Sequence, residues 1–325
     1  MNHTTARSSA RESVATTRTA GLALAGMTAV VSGISVFVNG YGVTHFDDAT
    51  TYTTAKNLVA AVVIVTLLVG HRPSPTSERA MPAPAAPTAP TGGARRVTTL
   101  VAIAVIGGSL PFVLFFEGFA RASSTDAAFI HKTMVVWVAL AAVLVLRERV
   151  GPPHVAAIAL ILVGYVQLAG GVGLPELGTG ELLIFAATLC WSVEVILTRS
   201  LLVGGVTPTT VSTARMAGGV ALLLGWAIAR GALDDLFALT WVQWRWVALT
   251  GLLLAAYVIS WHHALARAGA VDVTAVLSLG AVLTAVLDAG VRGAAVEPIG
   301  LALLLAGGVL AAVAATTTAR RSASA

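Results

Sequence analysis

The chain has 325 residues, of which 57% are hydrophobic and only 11% are charged, and its formal net charge is +5 at pH 7. A soluble globular domain carries about 25% charged residues, so this composition excludes an ordinary water-soluble domain with a polar shell. Charged loops that orient a membrane protein explain the positive excess better than nucleic-acid binding does, and we expect no nucleic-acid partner.

Apolar runs of about 20 residues follow one another along the chain, and each is long enough to cross a bilayer as a helix. Strands of a membrane β-barrel would be about ten residues long with strict alternation, and these runs are neither. The sequence therefore predicts an all-α polytopic membrane protein with ten transmembrane helices. The predicted spans are residues 20–40, 51–70, 98–119, 126–146, 153–171, 180–199, 208–229, 245–264, 272–290 and 298–317.

Three polar segments lie outside these spans. Residues 1–19 are rich in Ser, Thr and Arg, a composition that predicts disorder. Residues 72–96 are rich in Pro, Ala and Gly and are interpreted as a flexible loop rather than a domain. Residues 318–325 are predicted to form a polar tail.

The distribution of arginines predicts the orientation in the membrane. Most arginines outside the spans fall on the side of the N-terminus, and cytoplasmic loops carry such an excess. We therefore expect both termini in the cytoplasm and the protein in the plasma membrane. The arginines on the other side are Arg121, Arg230, Arg245 and Arg292.

Two pairs of similar motifs indicate an internal duplication. "TTAKN" corresponds to "STARM", so Lys56 matches Arg215. "FARASSTDAAF" corresponds to "LARAGAVDVTA" at a smaller offset, and the longer loop of the first half explains the difference. We assign residues 20–171 to a first five-helix repeat and residues 180–317 to a second. Since five is odd, the second repeat is inverted, as in many secondary transporters.

These features resemble the EamA-like branch of the drug/metabolite transporter (DMT) superfamily over roughly residues 20–317. The matching motifs are the Ala214–Arg215 pair early in the seventh span and "LRERVG", in which Glu148 falls on the glutamate that typically ends the fourth helix. The chain lacks the prolines that the family usually has in the fourth and ninth helices, and its second half lacks the matching terminal glutamate. The resemblance implies a carrier of small metabolites, often in the outward direction, and does not specify the substrate.

Polar residues in two spans suggest a shared cavity. Glu194 lies about midway along the sixth span and shares a helix face with Trp191 and Thr198. The alternative for Glu194 is a structural hydrogen bond or ion pair between helices. The repeat offset places a second polar stripe in the first span, and we expect the two stripes to face each other. Its members are Ser32, Ser35 and Asn39.

The fourth and ninth spans carry a related pair. Lys132 matches Ser278, and the polar face around Ser278 extends to Asp288. Lys132 could receive a substrate carboxylate or phosphate, or it could extend to the lipid headgroups. Ionisable groups at bilayer depth are usually paired. The spans hold three cations and three acids: Lys56, Lys132 and Arg215, and Glu117, Glu194 and Asp288.

Two further pairs of repeat equivalents allow two interpretations each. Lys56 and Arg215 lie about two turns from helix ends at opposite membrane faces. They are interpreted either as structural clamps near those ends or as residues that pair with the substrate or a gate. Glu117 and His263 lie close to helix ends. They are interpreted either as residues at the membrane boundary or as gate residues.

Together these observations predict a secondary transporter that exports a small amino-acid-like metabolite or organic anion by alternating access, with proton coupling through Glu194 or substrate exchange. A membrane-embedded enzyme acting on lipid or isoprenoid substrates is the alternative, and a channel is a third option. The sequence shows no catalytic, cofactor or metal-binding motif, and we expect no catalytic residue, cofactor or metal. The expected partners are the substrate and the bilayer, and a homodimer stays open.

Overall fold

The computed structural model describes residues 3–70, 92–119, 121–122, 127, 130–168, 178–293, 295 and 297–324. Over these residues the regular secondary structure is helical, without a β-strand, so the all-α prediction is confirmed for the described part of the chain. Most of the predicted flexible loop, residues 72–91, lies outside the described residues.

The first half forms five helical segments, numbered in chain order. Ser109 interrupts the third and Thr133 the fourth. Their bounds are α1 His3–Gly42, α2 Ala49–Gly70, α3 Gly93–Phe119, α4 Ile130–Leu146 and α5 Pro152–Leu168.

The second half forms five more. The seventh begins at the N-cap Thr207, whose hydroxyl accepts a hydrogen bond from the Thr210 amide, and the short helix Leu233–Phe237 precedes the eighth. Ser278 and Leu279 interrupt the ninth. The bounds are α6 Thr179–Val203, α7 Pro208–Ala229, α8 Trp241–Arg267, α9 Ala270–Arg292 and α10 Pro298–Ser324.

Eight of these segments are long and apolar enough to cross a membrane. The exceptions are α4 and α5, which are shorter apolar helices. The predicted spans 126–146 and 153–171 extend into residues that the structure does not describe. Each predicted span overlaps a helix, but the number of ten membrane crossings remains a prediction.

The first helix extends further towards the N-terminus than the composition predicted. Residues 1–19 were expected to be disordered, whereas the described backbone is helical from His3 onward. Arg18 forms an ion pair with Asp272 of α9 at 2.7 Å, which fixes this part of α1. Extending an existing helix costs far less than nucleating one, so a polar segment can continue the helix of the span that follows it.

The two halves pack together with an approximate twofold pattern. α1 lies against α8 and α9, and its equivalent α6 lies against α3 and α4. In the same way α2 packs on α8 and α7 packs on α3, while α5 and α10 pack on each other. Each half therefore places its first helix within the other half, which positions α1 and α6 at the interface between inverted repeats.

The contact between α5 and α10 requires glycine. A Cβ atom on Gly164 would lie 2.9 Å from the Gly300 carbonyl oxygen, and a Cβ atom on Gly300 would lie 2.9 Å from the Gly164 carbonyl oxygen. Small residues allow helices in lipid to approach closely. The two glycines thus hold the last helices of the two halves together at the backbone.

α4 and α9 are interrupted at equivalent positions without a proline. The Thr133 hydroxyl donates to the Ile130 carbonyl at 2.6 Å, and the Ser278 hydroxyl donates to the Thr274 carbonyl at 3.4 Å. Hydroxyl groups that bond to preceding carbonyls compete with the helical ladder and often bend helices. These bonds offer a local reason for the interruptions beside Lys132 and at Ser278.

Candidate functional site

A cavity of about 700 Å³ lies between the two halves, within the range of small-molecule sites. Its wall includes Ser32 and Asn39 from α1 and Trp191 and Glu194 from α6, so the two predicted polar stripes meet in one space. The lining begins near the C-terminal end of α1, at Val43, and continues to Glu194 and Arg215.

The structure gathers most of the predicted site residues into this cavity. Thr198, Glu117 and His263 are not part of its wall. Thr198 is buried and donates a hydrogen bond to the Glu194 carboxylate at 2.8 Å. The predicted residues that line the cavity are Ser32, Ser35, Asn39, Lys56, Lys132, Trp191, Glu194, Arg215, Ser278 and Asp288.

Buried charges occupy the deep end of the cavity. Glu194 is 2% exposed, and its Oε1 atom lies 3.6 Å from Arg215 Nε and 3.8 Å from His262 Nε2. On its other ring nitrogen, His262 shares a 2.7 Å hydrogen bond with the Ser212 hydroxyl. An unpaired buried charge costs several kcal/mol, so Glu194 and Arg215 stabilise each other at this depth.

The local backbone sets the position of Arg215. Residues Ala214–Gly218 form a π-helical turn inside α7, a feature often found at functional sites. α3 approaches this turn so closely that a Cβ atom on Gly108 would clash with the Arg215 carbonyl oxygen. The bulge and the glycine together bring the guanidinium of α7 to the carboxylate of α6.

Lys56 has different surroundings. Its ammonium donates to Asn39 Oδ1 at 3.0 Å and lies 5.0 Å from the centre of the Tyr52 ring. Tyr52 also donates to Asn39 Oδ1, at 2.7 Å. The ammonium therefore contacts an amide oxygen and a ring face, both neutral groups.

Lys132 likewise lies near neutral groups. Its ammonium is 5.5 Å from the centre of the Tyr165 ring, and the Tyr165 hydroxyl donates to the Ser278 carbonyl at 3.3 Å. A cation over an aromatic face gains some stabilisation, but the ring supplies no opposite charge. Tyr165 thus links the two repeat-equivalent positions 132 and 278.

An aromatic wall adjoins His131, which precedes Lys132 in α4. The Trp191 ring lies 5.0 Å from the His131 ring, 5.4 Å from the Phe112 ring and 5.7 Å from the Phe115 ring, measured between centres. Trp191 also donates to the Gly107 carbonyl at 3.3 Å, which fixes its indole. All four rings line the cavity, so one side of it presents an apolar surface.

The other two acids of the predicted spans, Asp288 and Glu117, have arginine partners. Asp288 lies 3.4 Å from Arg292 one turn further along α9. Glu117 lies 2.8 Å from Arg121 and 3.1 Å from Arg230 and is partly exposed. The sequence led us to expect three cations to pair with three acids, and among these six residues, all within the described part of the chain, the structure pairs only Glu194 with Arg215.

His263 also lies at a helix end. It faces Arg267, whose Nη1 atom is 3.0 Å from His263 Nδ1. The pair lies one turn apart in α8, outside the cavity wall.

Polar contacts join several helices at the end of the bundle where α1 begins. Asp272 at the start of α9 pairs with Arg18 at 2.7 Å and contacts His154 of α5 at 3.2 Å. Glu148 accepts hydrogen bonds from the amides of Ala270 and Val271, at 2.9 and 3.3 Å. A carboxylate is favourable at a helix N-terminus, so the end of α4 caps α9.

The residues that sequence reasoning missed take part in contacts between helices. His262 was noticed only as the neighbour of His263, and Tyr165 and Asp272 were not considered as parts of a site. A histidine in an apolar run was a usable signal for His262, because buried polar groups need partners. The sequence held no comparable signal for the contact between Arg18 and Asp272.

The family model described as the EamA-like transporter family matches residues 19–169 and 178–318. The chain belongs to this family. The predicted membership of the drug/metabolite transporter superfamily is thus confirmed, and the two matches account for the two repeats. This EamA-like protein is a multi-pass membrane protein with inverted repeats, of a family whose members are transporters.

The other comparisons concern curated proteins and solved structures. No curated protein matches the chain. A solved structure described as the crystal structure of a protein aligns with a TM-score of 0.69 at 18% sequence identity. The alignment covers 90% of the EamA-like chain and 98% of the other one. At this identity the similarity supports the fold.

Proposed function

We propose that this EamA-like protein is a ten-span secondary transporter that exports a small amino-acid-like metabolite or organic anion from the cell by alternating access. It lies in the plasma membrane with both termini in the cytoplasm. The observation that carries the proposal is the cavity between the inverted halves, which reaches from one end of the bundle to the buried Glu194–Arg215 pair.

The contacts between helices at the face where α1 begins support alternating access. A carrier exposes its site to one side at a time, so one face must be sealed while the other is open. Here the ion pair of Arg18 with Asp272 and the capping of α9 by Glu148 lie at the face where α1 begins. With a cytoplasmic N-terminus, this conformation faces outward.

An efflux experiment tests the transport proposal. Cells that overexpress the protein are loaded with a uniformly labelled carbon source, and labelled compounds in the medium are identified by mass spectrometry. We expect one class of compound to accumulate outside faster, chemically unchanged. A modified product would instead favour the membrane-embedded enzyme.

Two tryptophan variants make this experiment specific to the cavity. Ala281 lines the cavity, so Ala281→Trp places an indole ring in the cavity and should abolish the additional efflux. Val309→Trp places the same bulk on α10 at a side chain that is 57% exposed and should leave efflux unchanged. Equal efflux from both variants would refute transport through this cavity.

The proton-coupling part has its own test. Once an exported compound is identified, its flux into proteoliposomes is measured with and without a pH gradient, for the wild type and Glu194→Gln. If protons couple through Glu194, the gradient accelerates the wild type and has no effect on the variant. A wild-type flux that is independent of the gradient removes proton coupling and leaves exchange.

A further inference from the structure

The balance of charge on the cavity wall points to the chemical class of the substrate. Its two carboxylates, Glu194 and Asp288, each have an arginine partner. Its two lysines form no ion pair with any acid among the residues that the structure describes. The wall therefore presents two uncompensated positive charges, those of Lys56 and Lys132.

Both ammonium groups are held at the cavity by neutral contacts. The Lys56 ammonium donates to Asn39 and lies over Tyr52, and the Lys132 ammonium lies over Tyr165. A charge in a low-dielectric site is costly unless an opposite charge comes to it. A bound anion would supply that charge at each lysine.

The aromatic wall specifies the rest of the ligand. Phe112, Phe115 and Trp191 form a continuous apolar surface on the cavity wall, next to His131. Burying an apolar or aromatic group there is favourable by about 25 cal/mol per Å². The site thus combines positive charge with an apolar surface.

We propose that the substrate is an organic anion with an aromatic or apolar body, whose carboxylate or phosphate is bound by Lys56 and Lys132. This inference rests on the proposed transport function and selects the anion from the two classes considered there. A zwitterionic amino acid fits less well, because both wall carboxylates that would receive its ammonium are already paired.

A series of ligands with the same ring tests the charge class. Binding of phenylacetate, phenyl phosphate, phenylalanine and phenethylamine to the purified full-length protein in nanodiscs is measured by calorimetry. We expect at least one of the two anions to bind about tenfold or more tightly than the zwitterion and the cation, because a charge-assisted hydrogen bond contributes about 1.5–3 kcal/mol. Equal or tighter binding of phenethylamine, or no binding of either anion, would overturn the proposal.

Lysine variants test the residues. Lys56→Gln and Lys132→Gln should each weaken anion binding roughly tenfold, whereas Lys56→Arg and Lys132→Arg should largely retain it. Arg121→Gln removes a cation of the same repeat that lies outside the cavity wall and serves as the matched control. Unchanged anion binding in both glutamine variants would refute the assignment.

The two proposals fail separately. If a cation or zwitterion is bound and exported in the efflux experiment, the substrate class is wrong and the transporter remains. If anions bind but no efflux depends on the cavity, the transport proposal is wrong and the proposed anion site remains.

Discussion

Lys56 and Arg215 occupy equivalent positions in the two repeats, yet their surroundings differ. Arg215 lies at the deep end of the cavity, 3.6 Å from a carboxylate that is 2% exposed. Lys56 has an amide oxygen and an aromatic ring as neighbours and no acid within ion-pair distance among the described residues. The two equivalent positions thus differ: one cation has a carboxylate partner, and the other contacts only neutral groups among the described residues.

The largest expected effect comes from breaking the buried pair. Arg215→Gln leaves Glu194 buried without its countercharge, and we expect a loss of about 3–5 kcal/mol in the free energy of unfolding. The measurement is thermal or denaturant unfolding in detergent. The double variant Glu194→Gln with Arg215→Gln should be less destabilised than either single variant. Additive losses would mean that the two residues do not interact.

The contacts at the face where α1 begins can be weakened by substituting Asp272, which is 4% exposed and forms an ion pair with Arg18. Asp272→Asn removes a charge-assisted hydrogen bond worth about 1.5–3 kcal/mol. In a Cys190→Ala background carrying Ala25→Cys, we expect maleimide labelling from the N-terminal side to accelerate severalfold. Asp288→Asn at the other face is the control and should leave this rate unchanged.

The cost of adding a methyl group at a close helix contact should differ between α3 and its equivalent α8. A Cβ atom on Gly108 would meet the Arg215 carbonyl and the Gly219 backbone, and one on Gly251 would meet the Val59 side chain and the Lys56 carbonyl. Overpacking costs about 1–3 kcal/mol. Gly108→Ala should lower the unfolding free energy more than Gly251→Ala, because a Cβ atom on Gly108 would clash directly with backbone atoms, whereas one on Gly251 would lie 2.7 Å from the Val59 side chain and 2.9 Å from the Lys56 carbonyl oxygen. Gly225→Ala has open space and should be neutral or slightly stabilising; a reversed order would contradict the packing.

The smallest effect is expected at Lys56. Lys56→Met removes one hydrogen bond to Asn39 and also the cost of burying an unpaired charge, so the unfolding free energy without ligand should change by less than about 1 kcal/mol. The measurement is the same unfolding assay as for Arg215→Gln. A loss as large as that of Arg215→Gln would show that Lys56 has a structural partner and would remove the basis of the comparison.

Sequence reasoning placed many of the cavity residues because a helix fixes which residues share a face. The 3.6-residue period brought Trp191 and Glu194 together, and the repeat offset carried that face to Ser32 and Asn39. The same period could not reveal partners on other helices. It left open whether Glu194 met a lysine, an arginine or a histidine, and the structure placed Arg215 and His262 beside it.

The interruptions of α4 and α9 show a second limit. The absence of proline at Lys132 and Ser278 gave no reason to expect a break there. The structure nevertheless interrupts both helices, where hydroxyl groups bond to preceding carbonyls. Such competition depends on rotamers that packing selects, so residue type alone does not predict it.

By itself the sequence determined that the chain is a membrane protein, that its halves are related, and which faces of its helices are polar. Hydrophobic length, helical periodicity and recurring motifs carry this information, because each can be read from the order of the residues without knowing their contacts. Only the tertiary structure decided which charges pair and which helix ends those pairs join. Those outcomes depend on distances of a few ångström between residues such as Arg18 and Asp272, which are far apart in the chain and meet only when all the helices are packed.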